Sequence, residues 1–142
     1  MILHELTIDE LTKKLASKEV SSRDAMQACL DRIDDIDNSI NAFISLDREN
    51  ALDQADAADS ALKNGANHND HPLLGVPVSL KDIFCVKNQP ANCASKILGD
   101  FRSPYDGSVV QKLKQAGAVI FGRVNMDEFA MGSSTENSAF GR

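Results

Sequence analysis

The sequence predicts an α/β fold in which a helical layer is followed by the start of a mixed or parallel sheet with flanking helices. Up to about residue 64, apolar residues recur three or four positions apart, as they do on one face of an α-helix. Beyond residue 72, two short apolar runs flank a helical segment, and this order is typical of a βαβ unit. We therefore expect residues 1–64 to be mainly helical and residues 72–142 to form a strand-and-helix part of the same domain.

Length and charge exclude several classes of protein. The 142 residues are 42% hydrophobic and 25% charged, which is typical of a folded domain and excludes wholesale disorder. The formal net charge of −6 argues against this chain binding a nucleic acid backbone by itself. No apolar run approaches the roughly 18 residues of a membrane span, and no signal peptide is recognisable. We expect a soluble, cytoplasmic protein without membrane contact.

Capping residues predict where the first helices begin. Thr7 and Glu10 have the spacing of a capping box, which opens a short helix. Ser21 and Ser22 open a second helix, and a third is expected from about residue 48 to residue 64. We attribute the many alanines of the third helix to their helix propensity rather than to close packing.

The second part of the chain alternates strand and helix. Residues 75–80 form an extended run in which Pro77, which has no N–H donor, should lie at the strand entry or at an edge. The other expected elements are a weak strand at 42–46, a helix at 106–115, a nearly all-apolar strand at 118–122 and a short helix at 126–131.

Cysteine and histidine spacing gives no support for a metal site. Cys29, Cys85 and Cys93 are odd in number and widely spaced, so we expect them to pack as small apolar side chains. His68 and His71 lie in a polar loop without a third ligand, and we expect both to be solvated.

Lys81 stands out from the residues alone as a candidate base. It lies at the end of an apolar strand, and ligands in open α/β sheets bind beyond the carboxyl ends of strands. Burial there would favour a neutral amine, which can take a proton from a hydroxyl nucleophile. The alternative is an ordinary surface lysine paired with Asp82 or another acid. The apolar neighbours expected to desolvate Lys81 are Val78, Leu80, Ile83 and Phe84.

The polar segment 132–138 allows two interpretations. Its small residues could form a loop whose backbone N–H groups face a substrate, or the segment could be a plain connector. The acids Asp127 and Glu128 just before it are expected to be solvated.

Four segments of the sequence resemble the amidase signature family. Residues 72–82 look like the lysine-bearing strand of that family. Residues 125–141 resemble one branch in particular, the A subunits of the amidotransferases that act on Glu-tRNA(Gln) or Asp-tRNA(Asn), and residues 94–98 and 103–106 fit the same branch. The resemblance covers essentially the whole chain, and the run Met-Gly-Ser-Ser-Thr-Glu-Asn-Ser is its most specific part.

The resemblance implies a catalytic lysine and a substrate pocket. The family uses a Ser–cis-Ser–Lys triad, and Lys81 matches the lysine, which acts through the middle serine to activate the nucleophile. Met131, Gly132 and Ser133 match the loop that lines the pocket, with Ser133 placed to hydrogen-bond near the lysine. In this branch, the acyl-enzyme step splits the side-chain amide of glutamine and releases ammonia.

The resemblance also implies partner subunits. Ammonia travels to a B subunit, which uses ATP and Mg²⁺ to activate and amidate the glutamate or aspartate mischarged on tRNA. Mischarged tRNA is bound mainly through that B subunit, and a small C subunit embraces the A subunit. No cofactor and no metal is expected in this chain.

The two triad serines of the family lie in a Gly-Gly-Ser-Ser-Gly-Gly-Ser signature that follows the run Ser-Ala-Phe-Gly, and the sequence stops at Arg142. We therefore expect residues 1–142 to be the N-terminal portion of a single amidase-signature domain, truncated before the nucleophile and inactive alone. The alternatives are a general amidase of the same family and a non-catalytic fragment whose helical layer docks a partner.

Overall fold

The computed structural model describes residues 2–142 and has the mixed α/β fold that the sequence predicts. Three strands form one sheet in the order β1-β3-β2, and helices pack on it. The helices are α1 (Ile8–Ala16), α2 (Ser22–Ile40), α3 (Arg48–Lys63) and α4 (Ser108–Gln115), and the strands are β1 (Phe43–Leu46), β2 (Pro77–Lys81) and β3 (Val119–Val124). Short 3-10 turns occupy Leu3–Glu5 and Glu128–Ala130.

The predicted start of the first helix is confirmed in detail. The Thr7 hydroxyl accepts a hydrogen bond from the backbone N–H of Glu10, and the Glu10 carboxylate accepts one from the N–H of Thr7. Ser21 forms the same arrangement with Asp24 at the start of α2. Each box satisfies two N–H groups that the first turn would otherwise leave unpaired.

The predicted βαβ unit is also confirmed. Strands β2 and β3 are parallel and α4 lies between them in the chain, while β1 pairs antiparallel on the other side of β3. Pro77 is the first residue of β2, where its missing N–H costs no ladder bond. Lys81 and Val124 are paired at the ends of their strands, so both strands finish at the same edge of the sheet.

Close packing explains the alanines of α3, and the expectation that they reflect only helix propensity is wrong. Ala51 and Ala55 are 0% exposed and pack in one cluster with Met26, Leu30 and Val119. Their small side chains let the helix approach α2 and the sheet closely, which a larger side chain would prevent.

The opposite side of the sheet has its own core beside α4. Leu80 and Ile120 pack there with Val86 and Val110. Because α2 and α3 cover one side and α4 the other, β3 is buried along most of its length. In the part of the chain that the structure describes, no helix is both long enough and apolar enough to cross a membrane.

The segment after β3 differs most from its prediction. The expected helix over 126–131 is reduced to the turn Glu128–Ala130, because Phe129 and Ala130 adopt the left-handed backbone region with φ of 54° and 62°. The chain therefore changes direction immediately beyond β3 and begins an irregular loop.

Candidate functional site

Lys81 ends β2 with its side chain in solvent. Leu80 is buried, whereas Ser79 and Lys81 on either side of it are exposed, which follows the alternation of a strand. The expectation that Lys81 is buried among apolar neighbours is therefore wrong for residues 2–142. One of those neighbours, Ile83, is itself 41% exposed. Within the same residues the Lys81 amine has no ion-pair partner.

Asp82, the next residue, is a buried anion that does not pair with Lys81. It is 1% exposed, and its Oδ1 accepts a hydrogen bond of 3.2 Å from the Nε of Arg123, which is 3% exposed. Arg123 also donates to the carbonyl of Phe84, and its Nη1 has no partner within residues 2–142. Buried charges require such pairing, so the alternative of a Lys81–Asp82 pair is wrong.

Asp127 organises the loop that follows β3. Its Oδ2 accepts hydrogen bonds from the backbone N–H groups of Ser134 at 3.0 Å and Thr135 at 2.9 Å, and its Oδ1 accepts one from Asn137 at 2.9 Å. Asp127 is 4% exposed, so the expectation that it is solvated is wrong. The segment is not a plain connector either, because three of its N–H groups are committed to one carboxylate.

Hydrogen bonding and charge lower the pKa of Asp127 below its ordinary value. The donor N–H of Asn137 has the largest effect, followed by that of Thr135. The N–H of Ser134 and the positive charge of Lys81 act in the same direction, against the opposing effect of burial. Because Lys81 is paired with Val124, the last residue of β3, Lys81 and the loop share one end of the sheet.

Met131, Gly132 and Ser133 lie on the surface of this loop. Met131 is 80% exposed, and the other two are also exposed. A Cβ built on Gly132 would lie 2.5 Å from the Oδ2 of Asp127, so the loop passes directly over that carboxylate. The structure thus brings the pocket loop expected from the resemblance to the same end of the sheet as Lys81.

Glu128 is half-buried rather than solvated. Its carboxylate accepts a hydrogen bond from the hydroxyl of Ser95, which is 0% exposed. Sequence reasoning did not single out Ser95, because nothing in its surroundings marks it as a partner of a loop 33 residues later.

Asn125 closes the far end of the loop and was also missed. Its Oδ1 accepts a hydrogen bond of 2.6 Å from the Ser138 hydroxyl, and its Nδ2 donates to the carbonyls of Asn41 and Gly141. One buried amide therefore fixes the end of the loop to the connection between α2 and β1.

Among residues 2–142, no histidine takes part in this site, and Cys93 contacts it through its backbone. His68 is half-buried and hydrogen-bonded to the carbonyl of Leu74, so its expected solvation is wrong, whereas His71 is exposed. Cys29 is half-buried against the α2–α3 cluster, and burial raises the pKa of its thiol. Within residues 2–142, no three His, Cys, Asp or Glu side chains are grouped as a metal site.

A large cavity within residues 2–142 lies elsewhere. It has a volume of about 590 Å³ and is lined by residues of α3, α4 and the start of β3, together with Lys87 and Gln89. Neither Lys81 nor the loop 131–133 contributes to its lining. Volume alone therefore does not locate the candidate site.

Comparison with known proteins decides the family. The sequence model of the amidase family matches residues 24–142. This chain belongs to the amidase signature family. The match includes β2 with Lys81 and the whole loop beyond β3, so both parts of the candidate site lie within the matched residues.

Close relatives within the family carry one name. The chain is 51% identical over 140 residues to the A subunit of the glutamyl-tRNA(Gln) amidotransferase of Desulfatibacillum aliphaticivorans. It is 54% identical over 141 residues to the protein of the same name from Geobacter sulfurreducens. Each comparison covers 99% of this chain and 28% of the relative, so the chain spans little more than a quarter of the length of these curated relatives.

Solved structures of the family share the fold. A vestigial protein complex related to the origin of an s-triazine catabolic enzyme superposes with a TM-score of 0.89 at 36% identity, over 96% of this chain and 30% of that one. The peptide amidase of Stenotrophomonas maltophilia superposes with a TM-score of 0.81 at 31% identity, over 88% and 26%.

Proposed function

We propose that this chain is the lysine-bearing part of the glutamine-hydrolysing A subunit of a tRNA-dependent amidotransferase. The observation that carries the proposal is the identity of 51–54% over 99% of the chain to relatives of that name. Identity to the peptide amidase is lower, at 31% over 88% of the chain. The whole protein hydrolyses glutamine and passes ammonia to an aminoacyl-tRNA.

In the proposed reaction, Lys81 serves as the base. Its exposed amine at the carboxyl end of β2 has no ion-pair partner within residues 2–142, so it is available to a hydroxyl group brought to that edge. A neutral lysine amine takes the proton of the nucleophilic serine through the second serine of the triad. The serine oxygen then bonds to the amide carbon of glutamine, the C–N bond breaks, and ammonia leaves with the proton.

Met131, Gly132 and Ser133 form one wall of the glutamine pocket in this proposal. Within residues 2–142, the backbone N–H groups of Gly132 and Ser133 have no hydrogen-bond partner, unlike those of Ser134 and Thr135. They are available to an oxygen atom of the substrate. The hydroxyl of Ser133 also has no partner within the described residues and lies on the same exposed loop.

The proposed partners are mischarged tRNA and the B and C subunits of the same complex. The B subunit binds the tRNA, uses ATP with Mg²⁺ to activate the mischarged amino acid, and receives the ammonia. In this proposal, the chain itself binds no cofactor. The proposed localisation is the cytoplasm, where aminoacyl-tRNAs are used.

A hybrid enzyme tests the proposal. The segment of the Geobacter sulfurreducens protein that matches this chain is replaced by residues 1–142 to give what we call the hybrid subunit, which is then combined with the B and C subunits of that organism. We expect ammonia release from glutamine and amidation of Glu-tRNA(Gln) or Asp-tRNA(Asn), each offered separately. Hydrolysis of unrelated small amides without B and C, and no tRNA amidation, would instead support a general amidase.

A further inference from the structure

The segment 92–95 connects Asp82 to the loop beyond β3, residues 127–139, which we call the pocket loop and which includes Met131–Ser133. The Oδ2 of Asp82 accepts hydrogen bonds from the N–H groups of Asn92 at 3.1 Å and Ala94 at 3.4 Å. The carbonyl of Asp82 also accepts a hydrogen bond of 3.3 Å from the N–H of Cys93. Three consecutive N–H groups of this segment are therefore directed at the residue that follows Lys81.

The other side of the same segment accepts hydrogen bonds from the pocket loop. The carbonyl of Cys93 accepts the N–H of Phe129 at 2.9 Å, and the carbonyl of Ala94 accepts the N–H of Ala139 at 2.9 Å. The hydroxyl of Ser95 donates to Glu128. The loop is thus attached on both sides of Met131–Ser133 to a segment that Asp82 holds.

The backbone of the segment 92–95 is strained, so contacts outside the segment must hold it in this conformation. Cys93 and Ala94 both have φ of 51°, in the left-handed region that costs a non-glycine residue about 1–2 kcal/mol. Such conformations persist only where the surrounding contacts determine them, and they cluster at functional sites. The hydrogen bonds to Asp82 are the contacts that hold Cys93 and Ala94 in this conformation.

We propose that Asp82 is a positioning residue that fixes the pocket loop relative to Lys81, an inference that rests on the proposed function of both. Asp82 follows Lys81 directly, and its N–H donates to the carbonyl of Val124 at 3.1 Å, so its place at the end of the sheet is fixed. Its carboxylate accepts two N–H groups of the segment and the Nε of Arg123 together.

A carboxylate is required for this geometry. Ionised aspartate has two oxygens that accept hydrogen bonds and no donor, so it can serve three donors at once. Asparagine keeps the shape but replaces one oxygen with an NH₂ group, which would face a donor. It would also leave the guanidinium of Arg123, which is 3% exposed, without its negative partner.

Amide hydrogen exchange measured by NMR on this chain tests the proposal. Asp82→Asn should accelerate exchange at Phe129 and Ala139, as well as at Asn92 and Ala94, by on the order of tenfold, because lost hydrogen bonds to a charged group release the whole attachment. The N–H of Val119, which donates to Val76 in the sheet, should change less than about threefold. Asp53→Asn, an exposed aspartate of α3, is the matched control and should change none of these.

Two results would overturn the proposal. One is faster amide exchange at Asn92 and Ala94 alone, which would mean that the segment 92–95 does not hold the pocket loop in place. The other is equal acceleration at Val119, which would mean that Asp82 serves only global stability. Ser95→Ala removes the contact to Glu128 without changing a buried charge, and it should accelerate Phe129 but leave Asn92 unchanged.

A kinetic measurement on the hybrid subunit separates positioning from a purely structural role. Asp82→Asn should raise KM for glutamine by about tenfold and lower kcat by less than about threefold, because the pocket wall moves while Lys81 remains. A fall in kcat at unchanged KM would contradict the proposal. If the hybrid subunit releases no ammonia at all, the proposed function fails, and the exchange pattern still decides whether Asp82 holds the loop.

Discussion

Gly132 and Asp127 lie so close together that a Cβ atom on Gly132 would be 2.5 Å from the carboxylate carbon of Asp127. That distance is well inside van der Waals contact, so only glycine lets the pocket loop pass over this side chain. The same carboxylate accepts three N–H groups of the loop. Packing and hydrogen bonding therefore define one conformation of the segment beside Lys81.

Gly132→Ala should displace the pocket loop from Asp127. The added methyl group forces the loop outward and weakens the hydrogen bonds from Ser134 and Thr135, so their amide exchange should accelerate by on the order of tenfold. Gly107→Ala is the control, because a Cβ there would have its nearest contact at an ordinary 3.7 Å. Unchanged exchange at Ser134 and Thr135 in Gly132→Ala would show that the loop adapts without loss.

Asp127 should make the loop sensitive to acid. Because its pKa is lower in the folded protein than in the unfolded chain, its stabilising effect is complete well above the ordinary aspartate pKa and is lost as the pH falls through the folded-state pKa. In an NMR titration, the amide protons of Ser134, Thr135 and Asn137 should shift with a midpoint below the ordinary aspartate value. Asp127→Asn should abolish this shift.

A midpoint at or above the ordinary aspartate value would contradict the assignment of Asp127 as the acceptor. Asp53→Asn serves as the control, since Asp53 is exposed on α3 and should leave the midpoint unchanged.

Ala55→Leu should destabilise the fold. Ala55 is 0% exposed between α2 and the sheet, so the larger side chain overpacks the core at a cost of about 1–3 kcal/mol. Ala57→Leu, on the exposed side of the same helix, should change the free energy of unfolding by less than about 0.5 kcal/mol. Urea unfolding measures both, and equal effects would mean that α3 does not pack closely.

The sequence predicted those parts of the fold that depend on local chemistry. The capping box of Thr7 and Glu10, the start of α2 and the position of Pro77 follow from residues close in the chain. The βαβ unit followed from hydrophobic patterning, because a crossover helix between two apolar strands leaves few topologies. The family resemblance rested on short runs of sequence and was confirmed over residues 24–142.

The buried polar contacts could not be predicted in the same way. The partner of Asp82 is Arg123, 41 residues later, and no periodic pattern marks a carboxylate that is going to be buried. The role of Asp127 depends on N–H groups whose direction only the folded loop determines. Lys81 was identified as a candidate base, but its expected burial was wrong, because strand alternation turns it away from the side chain of Leu80.

The central claim, that Lys81 is the base for glutamine hydrolysis, is tested most directly by ammonia release from the hybrid subunit in complex with its B and C subunits. Lys81→Ala should lower kcat by about 10²–10⁴-fold, the usual loss for a general base. Lys112→Ala, which removes an exposed lysine of α4, should leave the rate within about twofold. Ammonia release by Lys81→Ala at the rate of the unsubstituted hybrid would contradict the account.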